Sequence, residues 1–185
     1  MIVLSEAFGG SLKMALLLKR KLILQNDING ATVDYFIEGL EFLSSEDPHL
    51  PVTIVIGSSG GSAEAGLRIY DAVKNSGLMV IGTVKSLANS MASIVLQACN
   101  KREIYPHANI LIHSIDVTRN IYDVKNRLEE VTKKATYFQN QIEGILQERT
   151  KMSREDITRI MNMGSDGKSF SAHEALEKGL VDTIL

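Results

Sequence analysis

Apolar positions in the first half of the chain switch between helical and strand-like spacing. A helical repeat runs from Val33 to Leu43 and ends at Asp47-Pro48. Val52 to Ile56 is a short run of mainly β-branched side chains, which is typical of a strand buried on both faces. A second helical stripe, from Gly66 to Val73, precedes the strand-like run Leu78 to Val84. This alternation predicts an α/β fold of parallel strands joined by helical crossovers.

The pattern continues beyond residue 84. Met91 to Cys99 is apolar nearly all round, which predicts a buried helix. Short strands fit Glu103 to Tyr105 and Ile110 to His113. Near the end of the chain, a serine followed three positions later by an acidic residue twice predicts the start of a short helix. The two capping pairs are Ser153 with Asp156 and Ser171 with Glu174.

The segment from Ile121 onward has a different period, because its apolar residues alternate between steps of 3 and 4 positions. That is the heptad seam of a coiled coil. The seam consists of Ile121, Val124, Leu128, Val131, Ala135, Phe138, Ile142 and Ile145. A straight helix over residues 120–149 would be roughly 45 Å long, so we expect part of its seam to pack on another subunit. The alternative is a long helix that lies over its own sheet.

Length and composition indicate one globular domain over residues 1–185. Residues 1–13 have no clear apolar period and contain Gly9-Gly10, which predicts a flexible arm. Hydrophobic residues make up 44% of the chain and charged residues 23%. The net charge of −2 provides no attraction to nucleic acid or anionic lipid. We recognise no secretory signal and no run close to the ~20 apolar residues that span a bilayer. The single cysteine, Cys99, predicts a buried inert thiol and a reducing, cytoplasmic location.

Ser90 lies where a predicted strand passes into a predicted buried helix. A hydroxyl group there is directed out of the sheet with the helix N-terminus behind it, as in a nucleophile elbow. The alternative is that Ser90 only caps its helix, which is a common role for serine. The residues around Ser90, taken alone, favour the cap.

A serine nucleophile needs a base, and His113 is the best placed of the 4 histidines. It ends the apolar run Ile110 to Ile112, and the ends of strands deliver side chains to sites. A third, acidic residue would orient the imidazole. The turn Gly60-Gly61 precedes another helix and can offer free N–H groups to an anion or an oxyanion. It has neither the lysine and spacing of a phosphate-binding loop nor the dinucleotide fingerprint.

Five segments, in the same order along nearly the whole chain, resemble the ClpP peptidase family, the proteolytic subunits of Clp proteases. The segments are Phe42 to Pro48; Gly60-Gly61 with Ala65-Gly66 and Ile69 to Asp71; Ala88 to Ala92; Ile110 to His113; and Ser171 to Ala175 with Gly179 to Asp182. The resemblance implies the ClpP/crotonase-like α/β fold of repeated β-β-α units. It also implies that the long helix over residues 120–149 is a protruding handle.

The resemblance also implies a Ser–His–Asp triad. Ser90 would attack the scissile carbonyl, and His113 would take its proton and return it to the leaving amine. The N–H groups of Gly61 and Met91 would form the oxyanion hole. Asp166 is the acidic residue available as the third member, although the family's spacing, counted back from Ser171, reaches position 167.

Some residues differ from the family's pattern. Ser59 stands where the family usually has proline, Ser114-Ile115 replaces Gln-Pro, and Asp116 to Asn120 replaces a glycine-rich strand beside the substrate groove. The Asp-Gly pair at 166 is also similar to signal peptide peptidases of the same clan, which use a Ser–Lys pair. Lys85 is near Ser90 in sequence, but we interpret it as a solvated side chain.

The function implied is that of a serine endopeptidase that cleaves unfolded polypeptides inside two stacked seven-membered rings, a tetradecamer of this chain. A Clp-type ATP-driven unfoldase would thread the substrate, so the chain would need no cofactor, metal or nucleotide of its own. Two alternatives stay open. One is a catalytically silent ring subunit, and the other is a crotonase-type acyl-CoA enzyme with the same fold.

Overall fold

The computed structural model describes residues 17–25, 27–116 and 121–185, with side chains from residue 127 onward in the last range. The expected arm over residues 1–13 lies outside the described residues. The strands are β1 Lys21–Leu24, β2 Val52–Ser58, β3 Val80–Asn89, β4 Lys101–Ile104, β5 Asn109–Ile112, β6 Lys168–Ser171 and β7 Thr183–Ile184. The helices are α1 Gly30–Glu46, α2 Ala63–Asn75, α3 Met91–Ala98, α4 Ile121–Arg149, α5 Arg154–Met161 and α6 Ala172–Glu177.

Five of the strands form a parallel sheet in the order β1-β2-β3-β4-β7. The predicted α/β class with parallel strands is therefore confirmed. The strand β6 was not predicted, because its sequence Lys-Ser-Phe-Ser has a single apolar side chain and no strand-like run. It pairs antiparallel with β5, and β5 pairs parallel with β3.

The strand β3 is longer than its apolar run and serves two neighbours. Its first part, Ile81 to Val84, pairs with β4, and its last part, Leu87 to Asn89, pairs with β5. The strand thus carries the chain from the centre of the sheet to the side where β5 and β6 lie. The residue that follows β3 is Ser90, so this path decides which elements surround it.

The helix α3 is the centre of the core, and all eight of its residues are buried. Gly66 of α2 lets this helix approach closely, because a Cβ atom at position 66 would lie 3.0 Å from the Cβ atom of Met91. Cys99 is fully buried after α3, and burial raises the pKa of its thiol to about 12 against the opposing effect of nearby arginines. The prediction that this thiol is buried is confirmed, and a thiol with a raised pKa has little of the nucleophilic thiolate form.

The helix α4 packs on the domain near its C-terminal end and is exposed at Leu128. Ile142 and Leu146 are buried in the core, whereas 58% of Leu128 is exposed. Arg127 departs from helical geometry with φ −131° and ψ 28°, so the helix is kinked there. The C-terminal end of the apolar seam therefore packs on its own domain, as one interpretation of the sequence expects. Leu128 is not covered by the described part of the chain, which agrees with the other interpretation. Residue 120, the expected start of the helix, lies outside the described residues.

None of the helices in the described ranges combines the length and the apolar character that a bilayer-spanning segment requires.

Candidate active site

Ser90 occupies a sharp turn between β3 and α3 with φ 52° and ψ −127°. Among the described non-glycine residues, only Arg20 shares a positive φ. Residues other than glycine rarely adopt this backbone conformation, and it is typical of functional turns such as the nucleophile elbow. Ser90 stands at the N-cap position, but its side chain makes no capping hydrogen bond. The geometry therefore does not support the interpretation of Ser90 as a simple cap.

Neighbouring backbone holds this turn in place. The Ser90 N–H donates to the Leu111 carbonyl over 2.8 Å, which joins the turn to β5. The Ser90 carbonyl accepts from both the N–H and the hydroxyl of Ser93, at 3.0 and 2.7 Å. On the other side, Gly60 has φ +100°, and a Cβ atom there would lie 2.7 Å from the Ser90 Cβ atom. Only glycine permits this close approach.

The residue that follows β5 is His113, and it lines the same cavity as Ser90. This cavity has a volume of about 440 Å³ and is also lined by Gly61 and Met91. Its apolar wall consists of Ala63, Met91, Ile94, Ile112, Ile115 and Ile142. The only titratable side chains among the described lining residues are His113 and Asp116. Such a half-apolar cleft beside a hydroxyl and an imidazole can bind a peptide side chain next to the reacting bond.

The N–H group of Gly61 is directed away from its bridge partner. Ile28 donates to the Gly60 carbonyl and accepts from the Ser62 N–H, each over 2.8 Å. In a parallel bridge of this kind, the N–H of the residue between these two groups points to the opposite side. The Met91 N–H is one of the unpaired donors of the first turn of α3. Neither N–H donates to another described residue, so both are available to an oxyanion.

The fifth predicted site residue, Asp166, forms no hydrogen bond or ion pair with His113. Its side chain is exposed, does not line the cavity, and makes no hydrogen bond or ion pair with the described residues. Instead, the imidazole Nδ1 atom of His113 lies 2.6 Å from the carbonyl oxygen of Ser114. The Ser90 hydroxyl and His113 share the cavity without a hydrogen bond between them, a separation that is common in resting sites.

Lys85, considered for a Ser–Lys pair, is exposed and does not line the cavity. Sequence reasoning missed the Ser114 carbonyl because a main-chain acceptor has no side-chain signal. The sequence did point to position 167 as the one beside the histidine, because the family's spacing, counted back from Ser171, reaches it.

A strained serine turn, a histidine in the same cleft and two free amide groups on an α/β sheet define a serine-hydrolase type of site. A family model described as Clp protease matches residues 9–185 of the chain. The chain belongs to the Clp protease family.

Several curated proteins of this family are similar to the chain over most of its length. A protein of Streptomyces avermitilis named ATP-dependent Clp protease proteolytic subunit 1 is 32% identical, over 96% of this chain and 81% of the relative. Proteins of the same name from Gloeobacter violaceus and Chlamydia muridarum are each 31% identical over 92% of this chain. They are covered over 85% and 88% of their own lengths.

Proposed function

We propose that this chain is the serine-type peptidase subunit of a Clp-type protease, with Ser90 as its nucleophile and His113 as its general base. The observation that carries the proposal is the strained backbone of Ser90 in a cavity shared with His113. A strained turn of this kind persists only where the surrounding structure holds it, and it presents the hydroxyl free of the helix that follows. Membership of the Clp protease family supports the same function.

The residues of the site divide the reaction between them. The Ser90 oxygen attacks the scissile carbonyl while His113 Nε2 takes its proton, and the N–H groups of Gly61 and Met91 bind the resulting oxyanion. His113 then returns the proton to the leaving amine. A water molecule, deprotonated by the same imidazole, cleaves the acyl-enzyme. The family resemblance implies Asp166 as the third member, but the Asp166 side chain is exposed and His113 Nδ1 lies against the Ser114 carbonyl instead, so the proposal gives Asp166 no step in the reaction.

The proposal extends to substrate and assembly. We infer that the substrates are unfolded polypeptides, delivered in the cytoplasm by a Clp-type ATP-driven unfoldase to a chamber of two stacked seven-membered rings. The relatives named as proteolytic subunits of an ATP-dependent protease support the partnership with an ATPase. The exposed Leu128 on the free part of α4 supports a subunit contact there.

The decisive experiment is hydrolysis of a fluorogenic peptide by the Ser90→Ala variant. Removing the nucleophile of a triad hydrolase costs about 10⁶ in kcat, so we expect hydrolysis to fall to the background of the assay. Ser86→Ala is the matched control, because Ser86 is an exposed serine of β3 outside the cavity. Unchanged hydrolysis by Ser90→Ala would overturn the proposal.

A serine-directed fluorophosphonate probe separates this function from its alternatives. The folded wild type should be labelled at Ser90, and Ser90→Ala should not. Failure to label the assembled wild type would favour a silent ring subunit, and turnover of an acyl-CoA would favour a crotonase-type enzyme.

A further inference from the structure

The pairing of β5 with β6 places Gly167 opposite His113. In this antiparallel ladder Asn109 pairs with Ser171 and Ile112 with Lys168, so the next pair in register is His113 with Gly167. Position 167 is also the one that the family's spacing reaches from Ser171. The position expected to support the histidine is therefore occupied by a residue without a side chain.

There is no room for a side chain at position 167. A Cβ atom there would lie 2.5 Å from the His113 Cβ atom and 2.8 Å from its Cα atom, and closer still to the Ile112 carbonyl oxygen. Gly167 also has φ +55°, a backbone conformation that residues with a side chain rarely adopt. A carboxylate therefore cannot be placed there without moving the strand that carries His113.

The acceptor that His113 does meet is a main-chain group. Its Nδ1 atom lies 2.6 Å from the Ser114 carbonyl oxygen. Because a carbonyl can only accept, Nδ1 must carry the proton and Nε2 must be free to take one. That is the tautomer that a general base for Ser90 requires.

The peptide group that supplies this carbonyl is held from the other side by α4. Its N–H belongs to Ile115 and donates to the Oε1 atom of Gln139 over 2.9 Å. In a trans peptide the C=O and N–H groups point in opposite directions. The hydrogen bond to Gln139 therefore turns the Ser114 carbonyl towards His113.

The orientation of Gln139 is itself determined by a second hydrogen bond. Its Nε2 atom donates to the Oε1 atom of Glu143, one turn further along α4, over 2.9 Å. The amide therefore presents its oxygen to Ile115. The Ser114 N–H adds a support by donating to the Gly164 carbonyl over 3.3 Å.

We propose that His113 is positioned by the Ser114–Ile115 peptide group, which Gln139 holds from α4, and not by the carboxylate of Asp166. Gln139 is then a positioning residue that acts on the general base through one peptide bond. The inference rests on the proposed function and adds the device that keeps the imidazole in its working tautomer. It also links the geometry of the long helix to the catalytic histidine.

The test compares kcat and KM for a fluorogenic peptide among variants of the full chain. Gln139→Leu removes the acceptor of the Ile115 N–H, and we expect kcat to fall about 10²-fold, the cost of a small misplacement of a catalytic group. We expect KM to stay within twofold. Gln147→Leu, at an exposed position of the same helix, is the control.

Rescue distinguishes positioning from a general loss of structure. The exchange Gln139→Glu with Glu143→Gln keeps an oxygen for Ile115 and reverses the donor within the pair, so it should recover most of the kcat. The single variant Gln139→Glu places two carboxylates next to each other, so we do not expect it to recover kcat. A double variant no more active than Gln139→Leu would overturn the proposal.

Asp166→Asn provides a second, independent arm that leaves α4 intact. We expect kcat within threefold of the wild type and an unchanged midpoint of the acid limb of the pH–rate profile. A true triad carboxylate would cost about 10⁴ in kcat. A loss of tenfold or more in Asp166→Asn, or a Gln139→Leu variant within threefold of the wild type, would overturn the inference. Neither of these results touches the proposed function, which is tested by the Ser90→Ala variant and by the serine-directed probe.

Discussion

Gly60 and Ser90 illustrate how single residues shape the site. Both have positive φ angles, and they face each other across the two turns that precede α2 and α3. A Cβ atom on Gly60 would lie 2.7 Å from the Asn89 carbonyl oxygen as well as from the Ser90 Cβ atom. The absence of one methyl group thus lets the amide-bearing turn lie directly against the nucleophile.

Gly60→Ala should therefore displace the Ser90 turn. We expect kcat to fall about 10²-fold from misplacement of the nucleophile, and stability to fall by about 1–3 kcal/mol because alanine is strained at this φ. Peptide hydrolysis and urea denaturation measure the two effects. The control is Gly30→Ala at the start of α1, where an added Cβ atom meets nothing within 4 Å. Full activity in Gly60→Ala would contradict this account of the turn.

Among the secondary-structure elements, β6 and α6 are joined by a capping box, which also favours the charged form of Glu174. The Ser171 hydroxyl accepts from the Glu174 N–H, and the Glu174 carboxylate accepts from the Ser171 N–H over 2.9 Å. The ammonium group of Lys168 donates to the same carboxylate over 3.0 Å. The Ser171 N–H first, then Lys168 and the Ser171 hydroxyl, lower the pKa of Glu174 to about 2. Its register with β5 makes this unit part of the support beneath His113.

The lowered pKa of Glu174 predicts a pH-dependent contribution to stability. Since the folded protein favours the charged form, the contribution is present above the usual value of 4.5 and is lost as the pH falls towards about 2. Glu174→Gln should have a lower Tm than the wild type at pH 7, and the gap should narrow between pH 4.5 and 2. Thermal unfolding followed by circular dichroism measures this gap.

Glu177→Gln serves as the control, because Glu177 is exposed on the same helix and makes no hydrogen bond with described residues. A gap for Glu174→Gln that stays constant over the whole pH range would contradict the assignment.

At the scale of the whole molecule, Arg102 connects parts of the chain that are far apart in sequence. Its buried guanidinium group donates to Gln97 Oε1 at the end of α3 and to the carbonyl groups of Arg149 and Gly179. It also forms a bidentate pair with Asp182 near the C-terminus. Burial acts to raise the pKa of Asp182, but the hydrogen bonds and charge of Arg102 outweigh it and lower that pKa.

Arg102→Met should destabilise the fold by about 3 kcal/mol, because it leaves buried acceptors and a charged partner unpaired. We expect a value at the lower end of the range for a broken buried ion pair, because the Asp182 side chain is 38% exposed and can still reach water. Urea denaturation provides the free energy of unfolding. Lys101→Met, at an exposed neighbouring position, should change it by less than about 0.5 kcal/mol. Similar losses in both variants would contradict a specific role for Arg102.

The α/β alternation and the positions of the main helices could be predicted from the pattern of apolar residues. The sequence also supplied Ser90, His113, Gly61 and Met91, which the structure brings to one cavity. These features are carried by local patterns, namely apolar periodicity and short motifs at turns. The capping pairs that begin α5 and α6 belong to the same class, because each depends on residues three positions apart.

The surroundings of His113 depend on contacts between segments that are far apart in the sequence. Asp166 was the acidic residue just before the Ser171 to Ala175 segment, yet the register of β5 with β6 places Gly167 opposite His113 and leaves Asp166 exposed. The main-chain acceptor of His113 is held by Gln139 of α4, which lies 24 positions after Ile115 in the sequence. Backbone hydrogen bonds between remote segments leave no compositional trace, because every residue has the same main-chain groups. The sequence therefore identified the reacting side chains, and the packing of α4 and β6 determined how the histidine is held.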